Sequence, residues 1–273
     1  VKKGKALGLL LGLVAMAGWP SFAQRYRYHN EAVVNPWDET GAIPQAHNRF
    51  TFARAKYTSY RNGWSWDTDY PDSDVNFSLR LAELTTIDVN RDASGRIIHA
   101  IVDLADPMLV HFPFLYMVEV GYSNLTDSEV EGLRNYLLRG GFLLVDDFWE
   151  WREWDNWETQ VRKLFPDADS YPIVDIPLSH PIFHCVFRLD QVPQVPSINS
   201  WVNYRAESDR RGAVASCRGM FDHAGRLMMV MMHNTDLGDG WEREGEDFEY
   251  FQKFSVAKAY PMGINIVVYA MTH

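Results

Sequence analysis

Two adjacent aspartates, Asp146 and Asp147, stand where an apolar run ends, and they are the side chains in this sequence best placed to do chemistry. Neighbouring carboxyls can divide the roles of proton donor and acceptor, or hold a divalent cation with help from Asn234, Asp236 or Asp239. The run Asp236-Leu237-Gly238-Asp239-Gly240 lacks the full acid spacing of a calcium loop, so no metal set is assigned and no cofactor is expected. His180, ahead of Pro181, is a candidate base, although a histidine at such a turn also serves by hydrogen bonding to backbone. Its neighbour His184 shares a face with it only in a helix, and Pro181 and Phe187 favour extended chain there. Arg54, near the end of a first strand, can clamp an anionic ligand or a carboxylate of the protein itself, with Asp146 or Asp147 as the internal partner. Trp66 and Trp241 fall in stretches expected to hang over the same edge, and an aromatic wall beside carboxylates suits carbohydrate recognition.

The elements that must position these groups are legible in outline. Thr126 and Glu129 have capping-box spacing, so a helix begins at Asp127, with Val130, Leu133 and Leu137 on one face. Gly140 and Gly141 close that helix, and Phe142 to Val145 reads as a strand buried on both faces. Ahead of it come a strand over 49–57, a helix from Asp72 or Ser73 to Leu84, a strand-like stretch over 97–104 and a buried strand over 114–118. Trp149, Trp151, Trp154 and Trp157 continue a helical spacing as far as Leu164, either as a core stripe or as a stacking platform. A hairpin is expected from 213–217 to 227–232, and a final helix over 248–271 that Pro261 should kink or break. Alternating strands and helices predict a three-layer α/β fold, a mostly parallel sheet flanked by helices, with ligands beyond the carboxyl ends of the strands.

Of the 273 residues, 47% are hydrophobic and 23% charged, enough for one sizeable core. Lys2, Lys3 and Lys5 precede an apolar run from Ala6 to Trp19 and then Ser21-Phe22-Ala23, the order of a secretory signal cleaved after Ala23. The expected organisation is a signal peptide over 1–23, an arm or linker over 24–48, and one domain over 49–273 in an exported, periplasmic or extracellular protein with no transmembrane segment after cleavage. Of 26 basic residues three leave with the signal, so 23 face 36 acids, and nucleic acid is excluded as a partner because phosphate contacts need clustered lysine and arginine. Cys185 and Cys217 could pair in an oxidising compartment or remain free thiols.

Several separated motifs, taken together in order, resemble those of the family called DUF4159, a domain of unknown function found in exported or membrane-associated bacterial proteins. They are Phe52-Ala53-Arg54 with Tyr57, Tyr70-Pro71 with Asp74, Pro113 to Tyr116, Gly140 to Asp147, His180 to Phe183, Asn234 to Trp241 and Asn265 to Tyr269. The resemblance covers roughly Arg49 to His273 and implies a flavodoxin-like fold similar to class I glutamine amidotransferases and to the ThuA-like group. Those enzymes carry a cysteine nucleophile at a sharp turn after a strand, where this chain has Asp146-Asp147-Phe148 without flanking glycines, so glutaminase chemistry is not expected. The reading is therefore an exported, non-amidotransferase binding or assembly module with a polar strand-end pocket and a carbohydrate or envelope protein as partner. The alternative is a hydrolase or lyase of an envelope carbohydrate, with or without a metal, in which Asp146 or Asp147 works with His180, and Arg54, Trp66, Asn234, Asp236 and Trp241 contact the ligand.

Overall fold

Apolar residues at alternate positions, with every strand of the central run covered on both sides, dictate the architecture. The computed structural model describes residues 49–61 and 65–273; the expected signal peptide and arm, with Trp64, lie outside the described residues. Seven strands, β1 (Phe52–Lys56), β2 (His99–Asp103), β3 (Phe114–Val118), β4 (Phe142–Asp146), β5 (Ile173–Asp175), β6 (Ser216–Phe221) and β7 (Leu227–His233), form one sheet in the order β2-β1-β3-β4-β7-β6-β5. From β2 to β7 the neighbours are parallel; β6 runs antiparallel to both β7 and β5. Its parallel part has the 2-1-3-4-5 order of flavodoxin-like doubly wound sheets, β7 taking the fifth place.

Each face of the sheet has its own core. Phe52, Phe114, Tyr116, Phe142, Leu144, Val230 and Met232 point to one side, where α1 (Asp72–Leu84), α4 (Ile198–Tyr204), α5 (Leu237–Glu242) and the C-terminal helix lie. Ala53, Ala55, Leu115, Met117, Leu143, Val145 and Met231 point to the other and meet α2 (Asp127–Leu138) and α3 (Glu150–Leu164). This period-two division makes the three layers. The predicted capping box at Thr126 and Glu129 is present, and its second carboxylate oxygen also accepts the amide of Thr58 at 2.7 Å, tying the chain after β1 to the start of α2.

Pro261 does not break the last helix. α6 (Phe248–Tyr250), a π-helical stretch (Phe251–Ala259) and α7 (Tyr260–Thr272) follow one another directly, the wider register preceding the proline that cannot donate a hydrogen bond. The tryptophan stripe divides: Trp149 and Trp157 are buried, Trp154 is half-buried, and Trp151 is 70% exposed. Both cysteines are free thiols, Cys185 exposed and Cys217 buried on β6.

Candidate functional site

The carboxyl ends of β1, β3, β4 and β7 gather carboxyl groups to a degree that burial alone makes costly. Val118 partners Asp146 in the β3–β4 ladder, and the next amide, that of Glu119, donates to the carbonyl of Asp146 at 3.2 Å. Glu119 and Asp147 therefore stand side by side just past the tips of adjacent strands. Both have left-handed backbones, with φ 55° and 51°, and Asp69 in the loop after β1 has φ 63°. Among the described residues six side-chain-bearing residues have positive φ, and Asn234 and Glu150 at the same edge are two more of them. Such conformations cost of order 1 to 3 kcal/mol each and persist where the surroundings enforce them, which draws attention to this edge.

Side-chain geometry binds the acids to the sheet. Asp146 is fully buried; its Oδ2 accepts from the Tyr116 hydroxyl at 3.1 Å and from the Gly238 amide at 2.9 Å, while Oδ1 has no hydrogen-bond partner among the described residues. Asp147 Oδ1 accepts from the indole of Trp149 at 2.7 Å. The Tyr57 hydroxyl, from the end of β1, donates to the carbonyls of Val118 and Glu119 at 2.6 and 3.0 Å and so braces the β3 tip. Asp236 caps α5 by accepting the Asp239 amide at 2.7 Å, and Asp239 accepts from the Tyr250 hydroxyl at 3.2 Å. One oxygen from each of Asp69, Asp239 and Glu242 lies within 4.8 Å of the others, a donor set suited to a hard cation.

Crowding and burial raise these carboxyls together. Removal from water pushes Asp146 up to about 7 against the hydrogen bonds it accepts. Burial first, then the charge of Glu119 and of Asp69, holds Asp147 well above the usual carboxylate range. Glu119 is pushed up to about 7 by burial and by Glu153, with Arg61 and Arg210 opposing. Burial, then Asp147, Asp69 and Asp239, raise Asp236, and burial with Asp239 and Glu242 raises Asp69. The edge can thus present protonated carboxyls as donors beside others that ionise near neutrality.

The residues singled out by sequence separate into two groups. Asp146, Asp147 and Asp236 come together as described, with Trp66 half-buried at the same edge, its ring 6.4 Å from that of Tyr70. Arg54 is buried and fully engaged: it is bidentate to Asp74 and donates to the carbonyls of Trp66 at 3.0 Å and Thr68 at 2.7 Å and to Ser73 Oγ at 2.7 Å. Its internal partner is Asp74 of α1 rather than Asp146 or Asp147, and no donor remains for an anionic ligand. Asn234 is a clamp, accepting the Glu150 amide at 2.8 Å and donating to the Val214 carbonyl at 3.1 Å. Trp241 is no wall: it is fully buried, its ring centroid 4.6 Å from Phe77 and 5.6 Å from Tyr116.

His180 lies at the other end of the sheet. Its ring is 5.2 Å from Tyr269, which is 6.5 Å from Phe142, the first residue of β4, and Asp146 is the last. At roughly 3.3 Å per strand residue the two ends are about 13 Å apart, too far for an acid–base pair. His180 Nδ1 instead accepts the Ile182 amide at 3.3 Å and caps a single turn over Pro181–Phe183. Sequence reasoning missed Glu119, although it follows the buried Phe114–Val118 run as Asp146 and Asp147 follow theirs. Asp69 had a weaker signal, lying in an aromatic loop whose closure over the sheet only Arg54 reveals.

The family model for a domain of unknown function, DUF4159, matches residues 51–271 of the chain. No curated protein matches it. The matched span contains every strand of the sheet and all the carboxyl groups described at its edge.

Proposed function

Since the chain belongs to the DUF4159 family, we propose that it binds a polar, hydroxyl-rich ligand, such as a carbohydrate, at the carboxyl ends of β3 and β4, through Glu119 and Asp147. The carrying observation is the pairing of these two carboxyls, side by side and both left-handed, at the position where the amidotransferase resemblance would put a cysteine nucleophile. Carboxyls in mixed protonation can donate to and accept from sugar hydroxyls, and the exposed indole of Trp151, in the first turn of α3 at the same edge, offers a face for a sugar ring. Without a cysteine or serine at the turn, glutamine hydrolysis is outside this reading. The protein is taken to work outside the cytoplasm after removal of 1–23, a view supported by the Lys2 to Ala23 pattern. No helix among the described residues is long and apolar enough to cross a membrane.

A second reading, hydrolysis or elimination on an envelope carbohydrate, is favoured by the side-by-side placing of two perturbed carboxyls: Glu119 is pushed up to about 7, and Asp147 beside it is held well above the usual carboxylate range. One group can then carry the proton while its neighbour ionises near neutral pH. His180 has no part in it.

Saturation-transfer NMR of the full chain with envelope-derived oligosaccharides separates these readings. Ligand contact in the wild type that disappears in Asp147→Asn, with circular dichroism unchanged, supports the binding site. Release of new reducing or unsaturated ends, abolished in both Glu119→Gln and Asp147→Asn, supports catalysis. Equal binding by Asp147→Asn would remove the site from this edge.

A further inference from the structure

A second feature of the carboxyl edge, deeper than the Glu119–Asp147 pair, concerns positive charge. Asp69, Asp146, Asp236, Asp239 and Glu242 converge around α5, and two arginines face them. Arg54 is committed to Asp74 and to the loop carbonyls. Arg243 reaches Asp239 at 3.2 Å and Glu242 at 2.6 Å, and its own side chain is 32% exposed. Arg243 therefore pairs two of the five acids, Asp69, Asp146 and Asp236 form no ion pair among the described residues, and buried carboxylates without a counter-charge are strongly disfavoured.

Orphaned oxygens mark where the missing partner belongs. Among the described residues two sealed carboxylate oxygens, Asp69 Oδ2 and Asp146 Oδ1, have neither a hydrogen bond nor an ion pair, and both belong to this group; Glu242 Oε2 is held by the Arg243 ion pair alone. Asp69 Oδ2 and Asp146 are brought together over one glycine. The Gly238 amide donates to Asp146 Oδ2 at 2.9 Å, and a Cβ at Gly238 would fall 2.3 Å from Asp69 Oδ2 and 2.6 Å from the Tyr116 hydroxyl. The absence of a side chain there is what lets the Asp69 carboxylate enter. A hydrogen-bond donor would be the ordinary solution for each orphan, yet Asp69 stands among the carboxylates of Asp239 and Glu242.

We propose that Asp69, Asp239 and Glu242, with Asp146 bordering them, bind one hard divalent cation of calcium size. Their donor oxygens lie within 4.8 Å of one another. Magnesium demands near-ideal octahedral geometry and gives up its water reluctantly, whereas calcium accepts irregular sets of carboxylate oxygens, so a cage of three protein carboxylates suits calcium. Asp239 is held by Tyr250 and by the Asp236–Asp239 cap, and Asp69 by the loop that Arg54 anchors, so the donors come from two separately braced segments. A cation there would clip the loop after β1 to α5. The site stands whether or not the Glu119–Asp147 pair binds a sugar.

Chelator-treated full-length protein, titrated with calcium chloride and with magnesium chloride by calorimetry, tests this. One calcium ion per chain, bound more tightly than magnesium and raising the thermal midpoint, is the expected result. Asp69→Asn should weaken calcium by about tenfold or more through loss of one charged ligand. Should that variant fail to fold, Glu242→Gln, whose side chain is partly exposed, gives the same readout. Terbium luminescence excited through tryptophan should fall in Trp241→Phe, because Trp241 adjoins Glu242. No calcium binding at millimolar concentration, or binding that neither carboxylate variant changes, overturns the site, and either result leaves the oligosaccharide test of Asp147 untouched.

Discussion

The amide of Glu119 donates to the carbonyl of Asp146 at 3.2 Å, extending the β3–β4 ladder one rung past both strands. That single bond sets the register in which Glu119 meets Asp147. It also explains why two carboxyls tolerate each other's company there: the ladder, the Tyr57 hydroxyl and the Trp149 indole fix the backbone and one oxygen, and protonation relieves the charge.

Stability should fall as pH rises. Glu119, Asp146 and Glu242 have ordinary values near 4 and folded values of about 7, and burial holds Asp69, Asp147 and Asp236 well above the usual carboxylate range as well. Between those values the unfolded chain has lost protons that the folded chain keeps, so each group destabilises the fold by up to about 1.4 kcal/mol per pH unit within its window. Burial lowers His99, His180 and His233, which acts the other way below about pH 6.5, with smaller displacements. Urea unfolding in chelator is expected to give a lower midpoint at pH 8 than at pH 5. A higher midpoint at pH 8 would mean that the acids ionise freely in the native state.

Arg54→Lys should destabilise the domain by about 3 kcal/mol, the range for breaking a buried ion pair, despite keeping the charge. A lysine cannot serve Asp74, Ser73 and the carbonyls of Trp66 and Thr68 together. Limited proteolysis should then cut within 65–71, which holds Asp69. An unchanged denaturation midpoint and digestion pattern would show that the pair anchors nothing.

Trp241 and His180 test the assignment of core against site. Trp241→Ala should cost about 3 to 5 kcal/mol, as for a large aromatic removed from a packed core. Close packing is evident at Gly263, where a Cβ would fall 2.5 Å from the indole, so Gly263→Ala should destabilise as well. His180→Ala should leave sugar contact unchanged in the saturation-transfer experiment. Loss of contact in His180→Ala with the fold intact would put the ligand at the opposite edge.

Local signals carried the elements and failed at their assembly. The Phe114–Val118 strand, the α2 capping box and the Phe142 strand were legible because burial on both faces, a cap and a glycine stop are short-range features. Asp146 and Asp147 were legible as the end of a strand. Their partner was not, because the register that pairs Val118 with Asp146 is a long-range property. Trp241 misled because an indole in a glycine-rich acidic stretch reads as a loop, whereas tertiary packing folds it into α5 against Phe77. His180 misled because sequence order does not tell which end of a sheet a turn occupies. At Pro261 no break occurs: a π-helical register over Phe251–Ala259 runs directly into α7, placing the proline in the first turn of α7, where its missing N–H is tolerated.

Carbon-13 NMR titration of the carboxyl resonances, in wild type and in Glu119→Gln, tests the central claim most directly. Glu119 should titrate near 7 and Asp147 well above the ordinary carboxylate range, and Asp147 should move toward that range when Glu119 loses its charge. Independent titration of both groups near 4, with no response of Asp147 to Glu119→Gln, would contradict a coupled carboxyl site at the tips of β3 and β4.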